Sequence, residues 1–414
     1  MDGRTFITGN RQRRKNMNHR VKRMYQTYRE LFILGLLGIP IGLVIGGIDA
    51  VFGRVLLAIT DFRDGHPMQL IPFLSLAGVL IAFCYLKFGG KSSKGMNLIF
   101  EVGHGEEEVI PLKLIPFIIS GGSAGREGVA VQIGATFSHW VGRRIPLENS
   151  SHIFLVTGMA AGFAGLFQTP IAAVFFAMEV LVAGALEYQA LFPAVTAAFT
   201  ASAASSFLGL EKFSFVLTTQ LNLDIPNMGK LVLLGILFGI VGGAFAWTLK
   251  YMKGKLAVLW REPVLRIFFM GLILSALLLI LYKGRYAGLG TNLIHASLYG
   301  EKIYRYDWIL KFLLTILTLA AGFQGGEVTP LFSIGASLGV AAGPLFGLPV
   351  EFAAALGYAS VFGSATNTFL APVLIGTEVF GFAYLPYFFV VCTFSYLFNL
   401  NKSIYSLQKL MDRH

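Results

Sequence analysis

The chain reads as a succession of apolar stretches parted by short polar ones, continuing from near residue 31 to near residue 400. Several runs approach the roughly 20 residues that cross a bilayer as helix: Leu31–Ile48, Ile153–Val180, Ala190–Leu210, Leu231–Leu249, Ile267–Leu281 and Phe369–Leu400. Some are too short to span alone and many hold glycine or proline, which predicts closely packed, interrupted helices. A more polar stretch over 212–229 predicts a linker between two halves. The expected organisation is a basic arm over 1–29, a first membrane half over 30–211, the linker over 212–229 and a second half over 230–414.

The halves echo one another. Setting Thr169 against Thr368 also brings Glu179 onto Glu378 and Val180 onto Val379, at an offset of 199. Upstream, Ile133, Gly134 and Ala135 match Ile334, Gly335 and Ala336 at 201. Threonine and glutamate are scarce in these apolar segments, so their pairing points to an internal duplication. Repeats of this length predict a transporter of two related bundles, with its site at their interface.

Composition narrows the choice of solvent. Of 414 residues, 55% are hydrophobic and 13% charged, against about a quarter charged in a soluble domain, so a single integral membrane domain is expected. The net charge of +11 is concentrated at the start, where residues 1–29 hold nine Lys or Arg. A basic cluster just before the first apolar run is the positive-inside signal, which places the N-terminus in the cytoplasm and removes the case for nucleic acid as partner. No short apolar region with a small-residue cleavage site follows, so a removable leader is not expected. The last residues, Asp412 to His414, leave no room for a soluble C-terminal domain, and the chemistry is expected inside the membrane part. Cys84 and Cys392 lie far apart in apolar segments and suggest neither a disulfide framework nor a thiolate site.

The most informative stretch is Gly-Gly-Ser-Ala-Gly-Arg-Glu-Gly-Val-Ala-Val-Gln-Ile-Gly over 121–134. A carboxylate within a membrane segment is costly and marks a functional candidate, which singles out Glu127. The surrounding glycines predict a helix start with free N–H groups, a ready anion site. An ionised Glu127 could occupy that site and an anion could replace it on protonation; the plainer alternative pairs Glu127 with Arg126. Gly-Gly-Glu-Val-Thr-Pro-Leu-Phe over 325–332 predicts a second polar helix break facing the first. Met96, in Gly-Met-Asn over 95–97, reads by itself as a core filler, and Tyr405 as an interfacial anchor or a hydroxyl donor. Gly-Gly-Lys-Ser-Ser over 89–93 echoes a phosphate loop, but Tyr85 stands where that pattern needs glycine. His104 beside Glu106, Glu107 and Glu108 reads as a solvated loop.

On these motifs the chain resembles the CLC superfamily of anion channels and transporters, in its fluoride/proton antiporter branch, CLC-F. The family's gating motif is Gly-(Lys/Arg)-Glu-Gly-Pro, and here Val129 stands at the proline position. The resemblance implies an all-α, polytopic CLC-type membrane protein, an inverted repeat of two halves with broken helices. It implies a homodimer in the plasma membrane, of bacterial origin, that exports fluoride in exchange for protons. It assigns Glu127 as the gate and proton carrier and Glu327 as its helper, with anion contacts from Met96, Gly125, Arg126, Gly128, Val129, Val328 and Tyr405. Met96 takes the place of a serine of chloride-selective members, and Tyr405 that of a tyrosine on a C-terminal helix. Thr329 would lie near a structural sodium ion; no other cofactor is implied. Val180 stands where chloride/proton exchangers carry an inner glutamate. Two alternatives follow, a CLC-type chloride channel or chloride/proton exchanger, and an intramembrane enzyme using Glu127 and Glu179 as acid and base.

Overall fold

The computed structural model describes residues 3–106, 110, 127–219, 221–323 and 325–411. Among the described residues its regular structure is helical, apart from a two-residue parallel ladder of β1 (Val182–Ala183) and β2 (Lys409–Leu410). The first half holds α1 (Gly3–Gly65), α2 (Leu74–Cys84), α3 (Met96–Gly103), α4 (Glu127–Gly142), α5 (Ser150–Phe167), α6 (Pro170–Glu179) and α7 (Leu191–Phe207). The second holds α8 (Ile225–Leu259), α9 (Pro263–Ile280), α10 (Thr291–Leu298), α11 (Asp307–Ala321), α12 (Val328–Ala342), α13 (Val350–Thr366), α14 (Leu370–Phe380) and α15 (Leu385–Leu397).

Among the described residues, seven helical stretches are long and apolar enough to cross a bilayer. Two of them, Pro67–Gly89 and Val328–Phe346, are absent from the runs read off the sequence. Large apolar side chains such as Leu43, Val51, Leu76, Leu80, Leu233, Ile240 and Phe269 are exposed on the outer helices. Hydrocarbon is the solvent that accepts such a surface, and closed helices leave no backbone groups for it to satisfy. The protein is a multi-pass membrane protein.

Glycines sit where helices cross. A Cβ at Gly134 of α4 would come 3.0 Å from the carbonyl carbon of Gly158 in α5, and one at Gly335 of α12 would come 2.6 Å from that of Gly357 in α13. These are equivalent pairs in the two halves, and small residues let the backbones approach in both. The breaks also correspond. Gln168 ends α5 at φ 55 and Asn367 ends α13 at φ 54, both left-handed, so the apolar run over 153–180 is two helices and not one. The run over 369–400 divides likewise into α14 and α15, at Gly381 with φ 117.

The duplicated glutamates explain themselves here. Glu179, at the end of α6, accepts from the amides of Phe369 (3.3 Å), Leu370 (3.0 Å) and Ala371 (2.8 Å) at the start of α14. Glu378, near the end of α14, accepts from Ile171 (3.2 Å) and Ala172 (2.7 Å) at the start of α6. Each helix thus has its orphan N-terminal donors satisfied by the other's C-terminal carboxylate, which requires α6 and α14 to run antiparallel across a local two-fold axis. A further echo opens two short helices: Gly-x-Asn-Leu-Ile occurs at 95–99 and 290–294, and both glycines are at positive φ, 58 and 81.

Three boundaries differ from expectation. Helix α1 begins at Gly3, inside the basic arm, and runs unbroken into the first span. The linker ends at Asp224 and not at 229, because the Asp224 carboxylate caps α8 by accepting from the Asn227 amide (2.9 Å) and Pro226 fits the first turn. Tyr405 is not on a helix: α15 ends at Leu397, and Leu400 and Asn401 adopt positive φ of 59 and 51, which turns the chain into an irregular strip.

Candidate functional site

Glu127 opens α4 as its first described residue and is 2% exposed. From the other half, the Thr329 hydroxyl in the first turn of α12 donates to Glu127 Oε1. The two helix starts therefore meet head to head, as the repeat predicts, with their positive dipole ends toward the same place. Glu327 takes the N-cap position of α12, and its carboxylate lies 3.6 Å from the Lys253 ammonium on α8.

A cavity of about 530 Å³ opens beside this junction. Met96, Gly128, Val129, Glu327 and Tyr405 all line it, so five of the residues singled out in the sequence come together around it. Met96 is the first residue of α3, and a Cβ built on Gly128 would stand 3.8 Å from its Cγ. Tyr405 is held by the irregular strip: Ile404 donates to the Ala365 carbonyl (2.9 Å), Tyr405 N–H to Ser403 Oγ (3.1 Å), and its ring packs at a tilt against Phe100 with centroids 5.3 Å apart. Helix geometry is not needed to fix a ring held on so many sides. Val328 is buried among apolar neighbours and does not line the cavity. Gly125 and Arg126, and the expected helix over 112–120, lie outside the described residues.

Lys250, Lys253 and Arg266 also line the cavity and escaped the sequence reading, because nothing local ties them to the motifs; Asn97 and Gln132 line it from inside the quoted motifs, where a neutral polar side chain was given no role. Asp49 escaped it as well. It is fully buried on α1 with neither carboxylate oxygen bonded, and a Cβ at Gly165 of α5 would stand 3.2 Å from its Cβ and Cγ. The first apolar run stops at Ile48, one residue short of it, although the helix continues to Gly65. The rule that an acid inside a span is a candidate would have found it.

Glu179 is committed to the three amides of α14, which takes it out of an acid/base pair with Glu127. For a sodium ion near Thr329, that hydroxyl gives its proton to Glu127 and keeps its lone pairs, one of the several oxygen ligands a hard cation needs. No step below passes through a cation there.

Comparison with known proteins agrees with this arrangement. The sequence profile of the voltage gated chloride channel family matches residues 77–400. A chloride/fluoride channel protein of Pseudomonas syringae pathovar tomato is 33% identical over 392 residues, 91% of this chain and 86% of the relative. The crystal structure of a CLC-type fluoride/proton antiporter superposes with a TM-score of 0.90 at 53% identity, covering 93% of this chain and 99% of that one. A slow cyanobacterial Cl⁻/H⁺ antiporter shares the fold at a TM-score of 0.72 and 20% identity, over 87% and 94% of the two chains.

Proposed function

The chain belongs to the voltage gated chloride channel family, and from that premise we propose that it is a fluoride/proton antiporter, exporting fluoride in exchange for protons. The observation that carries this reading is the bond between Thr329 and the buried Glu127, which joins the two repeats at paired helix starts. With its carboxylate docked there, Glu127 fills a place suited to an anion. A second negative charge cannot share it in a medium of low dielectric. Protonation of Glu127 removes the charge that the Thr329 donor and the helix dipoles hold, frees the side chain, and opens the place to fluoride. Return of the ionised side chain expels the anion, so each passage of fluoride is tied to a protonation of the same group.

Glu327 and Tyr405 stand on the cavity wall as the next polar groups along the path. Glu327 passes protons toward Glu127, and the Tyr405 hydroxyl donates to the anion. Where α3 begins, the wall offers peptide N–H groups and the Met96 thioether in place of a side-chain hydroxyl, which fits a small, strongly accepting anion better than chloride. The 53% identical fluoride/proton antiporter supports the same choice.

The reading extends to a homodimer in a bacterial plasma membrane with the N-terminus cytoplasmic. The orientation is supported by the nine basic residues over 1–29, ahead of the first apolar run.

The test is efflux from proteoliposomes, with fluoride and chloride followed by electrode and pH recorded in parallel. Fluoride efflux accompanied by proton uptake, with chloride far slower, is the expected result. Comparable chloride flux, or fluoride flux without protons, refutes the reading in favour of a chloride exchanger or a channel.

A further inference from the structure

Among the described residues, the cavity wall carries four cationic side chains and one carboxylate. Lys94 is neutralised by Glu101 (2.6 Å), Arg266 donates Nε–H to the Ala321 carbonyl (3.0 Å), and Lys250 lies one helical turn from Lys253. The carboxylate is Glu327, and it faces Lys253. This pair has the marks of one that exchanges. It is single-pronged at 3.6 Å, and the lysine side chain is 47% exposed against 19% for the glutamate. A wet, loosely made ion pair is worth little, roughly 0–1 kcal/mol, so another anion competes readily for the ammonium. Glu327 is the N-cap residue of the helix whose first turn holds Thr329, which bonds Glu127. Whatever occupies Lys253 therefore decides where the carboxylate next to the gate stands.

We propose that Lys253 is the docking cation of the cavity, holding the Glu327 carboxylate when no anion is present and exchanging it for the entering small inorganic anion. Lys253 is thus a positioning residue for Glu327 and the first binding station for fluoride. The excess positive charge of Lys250 and Arg266 draws the anion into the cavity, while Lys253 gives it a defined partner. This rests on the transport reading above.

The experiment uses full-length protein in proteoliposomes, with fluoride as the probe. Wild-type protein is measured first, and absence of proton-coupled fluoride flux there refutes the transport reading alone. Given that flux, Lys253→Gln is expected to raise the fluoride KM about three- to tenfold, with a smaller change in maximal rate. Lys253→Arg, which keeps the charge, restores KM to within about twofold. Lys255→Gln removes a charge from the same helix outside the cavity, where the ammonium lies 4.9 Å from the Tyr251 ring, and leaves KM unchanged. An unaltered KM in Lys253→Gln overturns the proposal. So does an equal shift in Lys255→Gln, which would assign the effect to overall surface charge, and so does failure of arginine to restore KM.

Discussion

The reciprocal caps make a quantitative demand on stability. Glu179 satisfies three amides at the start of α14, at 2.8, 3.0 and 3.3 Å, whereas Glu378 satisfies two at the start of α6, at 2.7 and 3.2 Å. Hydrogen bonds to a charged group contribute about 1.5–3 kcal/mol each, and truncation leaves the amides without acceptors. The longest of the three adds least, and side-chain entropy offsets part of the sum. Glu179→Ala is therefore expected to destabilise by about 3–5 kcal/mol and Glu378→Ala by about 2–3 kcal/mol. Glu179→Gln, which keeps one acceptor oxygen, should fall between wild type and alanine. Denaturant titration of purified protein in detergent, followed by tryptophan fluorescence and checked by gel filtration, reads these differences. An equal or larger loss in Glu378→Ala, or no loss in either, would refute the reciprocal arrangement and with it this account of the repeat.

Two further predictions concern the packing around the gate. Thr329→Val preserves shape but removes the donor to Glu127, a loss of about 1.5–3 kcal/mol from the docked position, which lowers its occupancy roughly ten- to a hundredfold. Fluoride should then leak without matching proton uptake while Thr329→Ser stays coupled, and an unchanged proton-to-fluoride ratio in the valine variant contradicts this. Gly165→Ala forces a methyl against the buried Asp49 and should cost about 1–3 kcal/mol. Asp49→Ala should relieve that cost in the double variant, and purely additive losses in the same denaturant titration would show that the two residues do not press on each other.

The parts of the fold that were legible in the sequence are those written in rare residues on an apolar background. Glu127 stood out because a carboxylate inside a span has few structural reasons to be there, and it lies at the junction of the repeats. Glu179 and Glu378 were visible as an offset, and the structure supplies their physical role as acceptors for each other's helix starts. Hydropathy could not locate the interruptions. Leu, Phe and Ala serve equally before and after Gln168 or Gly381, and only backbone dihedrals distinguish one helix from two. Lys253 was illegible for another reason: its partner arrives from a different helix, and a lysine near the end of a long span resembles an interfacial anchor. Asp224 and Pro226, by contrast, form a start signal that the sequence does display, and it fixes the end of the linker more sharply than polarity does.

The central claim is that one carboxyl group serves as both gate and proton carrier. Glu127→Gln tests it most directly, because the amide keeps the size of the side chain and cannot carry the proton. In proteoliposomes with fluoride and pH recorded together, this variant is expected to fold as the wild type does and to show no coupled exchange in either direction. If it still drives protons uphill against a fluoride gradient, the proton travels by another route and Glu127 is not the coupling residue.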